Sequence, residues 1–417
     1  MRISHRTVLG LGALLLLGAF VFLARSYKHT RAEPVGESEG SVSVAVTNSA
    51  DRGPGSLREA LFIAAGARGR ATILIRVDHI AVETALPPLV NAHGVTLNAQ
   101  APGTTIDAHA LAGGAVFDVA GVNTSITGVT IRNCPDAAVL LRAGRFRLMS
   151  TTIESCDVGI DIAENASDFL LERNRFIRNR IGIRFAATNR NATLARNEFV
   201  ENADGGVWAV RGALDLRKDA PISVRSNKFD GDRAGIVAGN VSLLIEDNDL
   251  DRSREAAVHL VGAGAVVRGN RIRDGAAMGI VAENARDALV ENNELDHLAA
   301  YAIMVRGSAN VLIRANRIHN CGYGMAFVLG DEAHPSTAVD NSLIALRHYG
   351  IDIIGDSPIL RGNRVYAQVA PLHTEDFEQG AKKIHANPFL DNNTFEVIAP
   401  SVAVETNDRS KAGIAPR

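Results

Sequence analysis

The sequence has few aromatic residues, few cysteines and no excess of either charge. Aromatic residues make up 5% of the 417 residues, with one tryptophan, so the core is expected to consist of Ile, Val, Leu and Ala. Three cysteines are too few for a disulfide-stabilised scaffold. A formal net charge of −2 argues against a dedicated nucleic-acid-binding protein, which normally carries a strong basic excess. The apolar fraction of 46% is ordinary and excludes intrinsic disorder.

Long uncharged runs are also scarce, and the longest lies at the N-terminus, from Thr7 to Ala24. Its 18 residues are marginal for a membrane span and slightly long for a signal-peptide core. Residues 1–25 are therefore predicted to be an uncleaved signal anchor, which the lack of an immediate cleavage site favours, or a removed signal peptide. Either alternative places the rest of the chain on the periplasmic or extracellular side, and the first anchors it to the inner membrane. Residues 26–41 are predicted to be a polar linker.

A short motif recurs along the rest of the chain, in which apolar and polar residues alternate around a central asparagine. Its period is near 24 residues, which predicts a solenoid in which each repeat is one coil. Alternation with a period of two indicates strands and excludes helical repeats. Each asparagine is expected to bond the backbone or the next asparagine in a ladder at a corner of the coil. The positions are Asn174, Asn197, Asn227, Asn248, Asn270, Asn293, Asn316, Asn341, Asn363 and Asn393.

A second strand follows about ten residues after each asparagine, usually as Gly-Ile-x-Ile or a variant. Two alternate positions of this strand are apolar in every repeat, as expected for side chains that point into a narrow core. These pairs are Ile160/Ile162, Ile183/Phe185, Val207/Ala209, Ile236/Ala238, Val258/Leu260, Ile280/Ala282, Ile303/Val305, Met325/Phe327 and Ile351/Ile353.

Charged residues alternate in sign at two outward positions of successive repeats. In-register stacking places equivalent residues about 4.8 Å apart, where like charges repel and opposite charges attract. The position after each asparagine holds Arg175, Glu198, Lys228, Asp249, Arg271, Glu294 and Arg317. The position two before it holds Arg225, Glu246, Arg268, Glu291 and Arg314. Both columns support parallel stacking in register.

On these repeats the chain resembles the right-handed parallel β-helix superfamily, which has the pectin-lyase-like fold. The segment VTNSADRGPGSLREAL, from Val46 to Leu61, resembles the opening motif of many exported bacterial β-helix proteins. The resemblance covers residues 42–400 and implies an all-β, single-domain solenoid of about 13 coils, followed by a flexible tail at 401–417. Ser56 and Glu59 form a capping-box pattern, which predicts a short N-terminal helix to about Ala65 that covers the first coil.

The resemblance is specific for the fold and implies only a broad class of function. Relatives of this fold include polysaccharide lyases, hydrolases and epimerases, but one scaffold hosts many activities. The Asp-Pro-His-Asp motif of the alginate epimerases is absent, and only fragments of the polygalacturonase motifs occur. Catalytic residues must therefore be predicted from constellations of side chains.

The predicted catalytic constellation lies three residues after successive asparagines. Arg273, Asp296 and His319 occupy this position on consecutive coils, followed by Ile344 and Tyr366. Lyase or epimerase chemistry on a uronate requires a cation for the carboxylate, a base and an acid. Arg273, with Arg271 and Arg317 alongside as substrate-binding residues, is assigned to the carboxylate, His319 beside Asp296 to the base, and Tyr366 to the acid. The alternative, which we favour, is that this position forms a third structural charge ladder.

Trp208 and His348 complete the predicted substrate-binding residues. Trp208 is the only tryptophan and precedes a longer insert around 211–221, so it either stacks on a sugar or packs under that insert. Outward positions from Val237 to Ala326 are unusually apolar, and the insert at 367–388 is expected to cover them or to border a groove. Tyr301, Tyr323 and Tyr349 share one position, where an inward or corner stack is favoured over platforms that stack on sugars.

Metal sites and a disulfide are weakly indicated. Asp247, Asp249 and Asp251 alternate with other residues in a way that leaves calcium as a minor alternative to the absence of any cofactor. Cys134 and Cys156 hold equivalent positions one turn apart, where a disulfide fits but stacked buried thiols are favoured.

These observations predict an exported, monomeric β-helix that binds or modifies an acidic polysaccharide, by lyase or C5-epimerase chemistry. The alternative is a non-catalytic binding, assembly or maturation factor that uses the faces of the β-helix. The expected partner is a polysaccharide or a protein of the cell envelope, and not a nucleic acid.

Overall fold

A computed structural model describes residues 40–100, 103–164, 166–186, 189–210, 222–262, 264–275, 277–380 and 382–399. The chain winds into successive coils, and each complete coil contributes one strand to each of three parallel sheets, which we name A, B and C in the order in which the chain passes through them. Sheet C has 12 strands, which corresponds to about 12 complete turns, close to the 13 expected. The all-β solenoid predicted from the sequence is confirmed.

The strands are short, and each pairs in parallel with its equivalents in the preceding and following coils. The strands of sheet A are Val42–Val46, Ala71–Ile75, Val95–Ala99, Ser125–Thr127, Arg147–Met149, Ser167–Glu172, Arg190–Ala195, Ile222–Arg225, Leu243–Glu246, Val266–Arg268, Leu289–Glu291, Leu312–Arg314, Thr337–Val339, Ile359–Arg361 and Phe389–Asp391. The strands of sheet B are His79–Ala81, Thr105–Asp107, Thr130–Arg132, Thr152–Glu154, Arg175–Ile177, Glu198–Val200, Lys228–Asp230, Asp249–Asp251, Arg271–Arg273, Glu294–Asp296, Arg317–His319, Ser342–Leu346, Arg364–Ala367 and Thr394–Val397. The strands of sheet C are Phe117–Val119, Ala137–Leu141, Val158–Ile162, Ile181–Phe185, Gly205–Val210, Ala234–Gly239, Ala256–Val261, Met278–Glu283, Tyr301–Arg306, Tyr323–Val328, Tyr349–Ile354 and Ala370–Glu375.

The core is a continuous apolar column inside the coils. All eighteen positions predicted to point inward from the Gly-Ile-x-Ile strands are buried. The expectation of a purely aliphatic core is wrong, because buried phenylalanines also stack from coil to coil. The ring centroids of Phe176 and Phe199 lie 4.9 Å apart, and those of Phe199 and Phe229 lie 4.6 Å apart. Stacking at the coil spacing lets few aromatic residues fill much of the core.

The predicted asparagine ladder runs without a break from Asn174 to Asn393. In each of its nine steps, the side-chain Nδ2 donates to Oδ1 of the next asparagine over 2.9–3.0 Å. A second ladder, which the sequence analysis missed, links Asn179, Asn202 and Asp232 at the next corner. Both ladders satisfy backbone groups that the corners would otherwise leave buried and unpaired.

The two alternating charge columns stack in register as predicted. Each residue of the first column pairs with its successor across neighbouring strands of sheet B. The second column does the same in sheet A. Arg175 Nε lies 2.7 Å from Glu198 Oε2, and Arg314 Nη2 lies 2.6 Å from Glu291 Oε2.

The N-terminal helix α1 spans Leu57–Gly66 and packs on the first two strands of sheet A. The Ser56 side chain accepts a hydrogen bond from Glu59 N, and the Glu59 carboxylate accepts one from Gly55 N. Leu57, Ala60, Leu61 and Ala64 are buried. The predicted cap on the first coil is thus confirmed.

Two other regions of the structure add detail to the sequence predictions. Cys134 and Cys156 form a disulfide, with Cα atoms 4.3 Å apart, so the expectation of two separate thiols is wrong. The insert at 367–388 forms the last strand of sheet C and an antiparallel hairpin, Phe377–Gln379 with Lys382–Ile384. This hairpin borders sheet C at Gly355, where an added Cβ would lie 2.6 Å from Phe377 Cβ.

Predictions for the two termini concern residues outside this description. The predicted signal anchor or signal peptide, most of the linker and the C-terminal tail all lie outside the described residues. In the part of the chain that the structure describes, no helix has both the length and the apolar character needed to cross a membrane.

Candidate functional site

Arg273, the predicted carboxylate-binding residue, lies on sheet B between acidic side chains. Its Nη2 atom is 3.0 Å from Asp249 Oδ1 and 3.0 Å from Asp251 Oδ2. Burial alone would lower the pKa of Arg273, but the charges of Asp251 and Asp249 raise it. Two carboxylates thus already neutralise this guanidinium, as expected for a rung of a charge ladder.

Asp296 and His319 are in contact, as the sequence predicts. Nδ1 of His319 lies 2.9 Å from Asp296 Oδ1, and its Nε2 lies 3.4 Å from Glu294 Oε1. Burial of Asp296 is outweighed by hydrogen bonds from Asn320 and His297, so the pKa of its carboxyl is lowered. Both ring nitrogens of His319 thus lie near carboxylates of the preceding coil.

Tyr366 does not join this group. The strand that contains Ser342–Leu346 separates it from His319, and the register shifts between Leu343 and Leu346. In sequence register, His319 faces Ile344, and Tyr366 faces Glu396. The structure thus brings Arg273, Asp296 and His319 into one column and places Tyr366 apart from them.

The predicted substrate-binding residues fall on two different faces. Arg271 and Arg317 flank Glu294 on sheet B, with Arg271 Nε 3.8 Å from Glu294 Oε2. Trp208 lies on sheet C, and His348 directly precedes a strand of sheet C. Arg271 and Arg317 thus lie on a different sheet from Trp208.

A different constellation lies at the C-terminal end of sheet C, around the Asp352 carboxylate. Asp352 is only 3% exposed, and its Oδ2 atom accepts a hydrogen bond of 2.5 Å from the Tyr301 hydroxyl. Its Oδ1 atom lies 2.7 Å from Nδ1 of His373, which belongs to the next strand. Burial, followed by the hydrogen bond to Asp352, raises the pKa of Tyr301 well above its usual range. Tyr301 thus stays protonated and donates to Asp352.

Aromatic rings surround this carboxylate. Tyr349 stacks on the His373 imidazole with ring centroids 4.3 Å apart and planes 9° apart. Tyr323 contacts Tyr301 and stacks on His348, in both cases at a centroid distance of 4.6 Å. The stack expected of the three tyrosines is present, and it extends to two histidines.

Trp208 lies beside a surface cleft of about 370 Å³ nearer the N-terminal end of sheet C. Val237 and His259 belong to its floor, and Asp204, Arg233 and Glu255 supply polar groups. Arg233 Nε lies 2.7 Å from Glu255 Oε2, so the charges of the cleft are largely balanced. The insert that was expected to cover Trp208 lies outside the described residues.

A comparison with protein-family models identifies the family. The model described as "Right handed beta helix region" matches residues 91–217 and 213–365, which together span more than half of the chain. This protein belongs to the right-handed β-helix family. No curated protein matched the sequence.

Solved structures share the fold of this β-helix at low sequence identity. The tailspike protein of the E. coli bacteriophage HK620, solved as a double mutant, is 12% identical with a TM-score of 0.55, over 84% of this chain and 78% of that chain. A mannuronic acid specific polysaccharide family 6 lyase from human gut microbiota is 10% identical with a TM-score of 0.49, over 75% and 86%. The A-module of a mannuronan C-5 epimerase from Azotobacter vinelandii is 13% identical with a TM-score of 0.48, over 81% and 92%.

The cluster on sheet C has the geometry of a general base. Nδ1 of His373 lies within hydrogen-bond distance of the Asp352 carboxylate, and the tautomer that carries its proton on Nδ1 donates to Asp352 and keeps a lone pair on Nε2. Tyr349 covers one face of the ring, so the ring orientation is fixed from two directions. A base that is held in this way loses little entropy when it acts.

The sequence analysis assigned no role to Asp352 or to His373. The residues APLHTE, at Ala370–Glu375, follow the same inward and outward alternation as YGIDII at Tyr349–Ile354. Because residues 367–388 were expected to be an insert, the pairing of this strand with Tyr349–Ile354 was not predicted. The repeat pattern itself was the signal that places His373 directly beside Asp352.

Two of the three carboxylates considered for calcium contact a protein cation. Asp249 and Asp251 both bind Arg273, as described above. Across the described ranges, no three His, Cys, Asp or Glu side chains form a group suited to a metal ion.

Proposed function

We propose that this β-helix holds a linear polysaccharide along the outer face of sheet C and modifies it by proton transfer to His373. The observation that carries this proposal is the buried Asp352 carboxylate, which holds both the His373 imidazole and the Tyr301 hydroxyl. A buried carboxylate with two such partners is an arrangement found where a base must be oriented for catalysis.

The dimensions of sheet C suit an extended polymer. The strand of Trp208 and the strand of His373 are seven inter-strand spacings apart, or about 34 Å at 4.8 Å per coil. Trp208 at one end and Tyr323 with Tyr349 at the other offer aromatic rings, on which sugar rings commonly stack. Between them, the side chains of Val237, Val281 and Ala326 are buried, so they do not project far from the sheet.

The chemistry of a histidine base indicates the class of substrate. Imidazole removes a proton most readily from a carbon next to a carbonyl or carboxylate group, such as C5 of a uronate. We therefore propose an acidic polysaccharide as the substrate and lyase or C5-epimerase chemistry as the reaction. In the lyase reaction the electron pair of the C5–H bond forms a C4–C5 double bond while the C4–O bond breaks, and the departing oxygen takes a proton from water. In the epimerase reaction C5 regains a proton from water on the opposite face of the sugar. We further propose that the protein works outside the cytoplasm, as the N-terminal apolar run predicts.

A non-catalytic binding or assembly role is the second candidate. It is favoured by the state of the sheet B column, where Asp249 and Asp251 neutralise Arg273. Under this alternative, the faces of the β-helix bind a polymer or a cell-envelope partner without turnover.

Histidine substitutions on the two sheets test these proposals against each other. The purified protein is incubated with a panel of uronate polymers in deuterated water, while ultraviolet absorbance of unsaturated products and deuterium uptake at C5 are followed. His373→Ala is expected to lower the rate by a factor of about 10² to 10⁴, the usual effect of removing a general base. His319→Ala, the matched control on sheet B, is expected to leave the rate unchanged.

Each outcome of this experiment selects one assignment. Loss of activity in His319→Ala, with activity retained in His373→Ala, would assign catalysis to the residues predicted from the sequence, which are Arg273, Asp296, His319 and Tyr366. Binding of a polymer that Trp208→Ala weakens, without turnover by the unsubstituted protein, would establish the non-catalytic alternative.

A further inference from the structure

A groove of about 560 Å³ crosses the outer face of sheet A near the N-terminal end of the solenoid. It spans successive coils from Arg70 to Thr193, and the buried rings of Phe146 and Phe169 contribute to its floor. Its walls carry hydroxyl and amide groups from Asn123, Thr124, Ser125, Asn191 and Thr193. Sheet A is a different face of the β-helix from the one that carries His373.

The charged residues that line this groove are unbalanced. Arg70, Arg145 and Arg147 supply three guanidinium groups, and Asp168 supplies the single carboxylate. The cleft beside Trp208 differs, since its one arginine, Arg233, lies near two carboxylates, those of Asp204 and Glu255. The groove on sheet A therefore has an excess of positive charge in a protein whose net charge is close to zero.

Arg147 departs from the pattern of the charge columns. Its partners in register are Ser125 on the preceding coil and Leu170 on the following coil, and neither carries a charge. In the two alternating columns, by contrast, arginines stack against acidic residues of neighbouring coils. Among the described residues, the guanidinium groups of Arg145 and Arg147 have no ion-pair or hydrogen-bond partner.

The Asp168 carboxylate is already engaged by neutral groups. Asn191 Nδ2 donates to its Oδ1 over 2.5 Å, and the Ser167 hydroxyl donates to its Oδ2 over 3.0 Å. These two hydrogen bonds, with a smaller effect of the Arg145 charge, lower the pKa of Asp168. Asp168 thus stays ionised without forming an ion pair with Arg145.

Arg70 is held in place on the other side of the groove. Its Nε donates to Thr96 Oγ1 over 3.3 Å, and its Nη2 donates to the Asn123 carbonyl over 3.4 Å. These contacts fix the guanidinium without neutralising it, because both acceptors are uncharged. A fixed cation beside two unpaired cations is the arrangement expected at a site for an anionic ligand.

We propose that this groove is a second ligand site, which binds a segment of an anionic polysaccharide. Carboxylate or sulfate groups of the ligand pair with Arg145 and Arg147, and sugar hydroxyls exchange hydrogen bonds with the Asn, Ser and Thr side chains of the walls. A glycan is favoured over a membrane surface because the groove is concave and its walls are rich in hydroxyl and amide groups. The site stands on its own geometry and does not depend on the sheet C proposal.

Binding measurements with charge-neutralising variants test this site. The full chain is titrated by calorimetry with a polyuronate, a sulfated polysaccharide, a neutral polysaccharide of similar length and anionic phospholipid vesicles. Arg147→Gln and Arg145→Gln are each expected to weaken binding of an anionic glycan about tenfold, since each removes a charged hydrogen-bonding partner. Binding is also expected to weaken as salt is added.

Arg175→Gln is the matched control, because it removes the same charge from an arginine that already pairs with Glu198. It is expected to leave glycan binding unchanged, and thermal unfolding verifies that every variant folds. Preference for polyuronate or for the sulfated polymer identifies the anionic group, and either preference supports the site. Equal affinity for the neutral polymer, binding to vesicles alone, or unchanged binding in both groove variants would overturn it.

The two proposals fail separately in these measurements. Trp208→Ala and His373→Ala lie on sheet C and are expected to leave binding at the groove intact. Loss of groove binding in those variants, with no effect of Arg145→Gln or Arg147→Gln, would assign the anionic ligand to sheet C instead.

Discussion

At the residue scale, Asp232 is the feature of the second ladder with the clearest thermodynamic consequence. Its Oδ1 atom accepts hydrogen bonds from Asn202 N and Nδ2, whereas its buried Oδ2 atom has no partner. Burial raises the pKa of this carboxyl from 3.8 to about 7. A protonated Asp232 can donate from Oδ2 as an asparagine does from Nδ2, so the ladder prefers the neutral form.

Replacing Asp232 with asparagine is therefore expected to stabilise the protein at alkaline pH. The folded state keeps a proton that the unfolded chain releases near pH 3.8, so the stability contributed by Asp232 is full below that pH and is lost as pH rises through about 7. At pH 8, Asp232→Asn should raise the free energy of unfolding by roughly 2–4 kcal/mol. Thermal unfolding at pH 8 and pH 5 measures this, and the gain should be smaller at pH 5.

The reverse change one coil earlier provides the control for this prediction. Asn202→Asp adds a second buried carboxyl to the same ladder and should lower stability more at pH 8 than at pH 5. A gain from Asp232→Asn that is equal at both pH values would show that Asp232 is ionised in the folded state.

At the scale of single elements, the long asparagine ladder stabilises one corner of ten coils. Asn270 donates to Asn293 Oδ1 and to the Ile245 carbonyl, and its Oδ1 accepts from Asn248. Asn393, at the C-terminal end, accepts from Asn363 and donates to the Leu360 carbonyl but has no asparagine beyond it among the described residues. The central rung is also more deeply buried than the last one.

Truncating the central rung should cost more stability than truncating the last one. Asn270→Ala leaves a buried backbone amide and a buried carbonyl without partners, which costs about 1–3 kcal/mol for each group. Asn393→Ala removes hydrogen bonds near solvent, where water replaces them, so its effect should be below about 1 kcal/mol. Urea unfolding of both variants measures the difference, and equal losses would contradict the assignment of the ladder as a buried element.

The elements were predictable from the sequence to the extent that they repeat. Inward positions, the ladder from Asn174 to Asn393 and helix α1 follow from alternation, spacing and capping chemistry, and the structure confirms them. His373 was missed because its strand lies within residues 367–388, which were expected to be an insert and not a further repeat. The groove at Arg147 lies outside the columns that alternate in charge, and its composition depends on which residues lie beside Arg147 across coils, so the repeat pattern did not predict it.

At the scale of the whole molecule, the alternating columns make the stability of the solenoid depend on the order of its coils. In a solenoid each coil contacts only its neighbours, so a complete coil can be removed while the register of the rest is kept. Removal of one coil joins two coils that were second neighbours, which carry the same sign. Removal of two coils joins third neighbours, which carry opposite signs.

Deletion of residues 268–290 removes one coil and should produce repulsion. Glu291 then takes the place of Arg268 beside Glu246, and Glu294 takes the place of Arg271 beside Asp249. Like charges directly opposite one another on neighbouring strands are destabilising.

Deletion of residues 268–313 removes two coils and should restore attraction. Arg314 then lies beside Glu246, and Arg317 lies beside Asp249. We therefore expect the two-coil deletion to unfold at a higher temperature than the one-coil deletion, although it loses more of the core. Added salt should raise the unfolding temperature of the one-coil deletion more, because screening weakens repulsion between exposed charges. A one-coil deletion that is as stable as the two-coil deletion at low salt would mean that the buried column of Ile, Val and Phe dominates and that the charge columns contribute little to stacking.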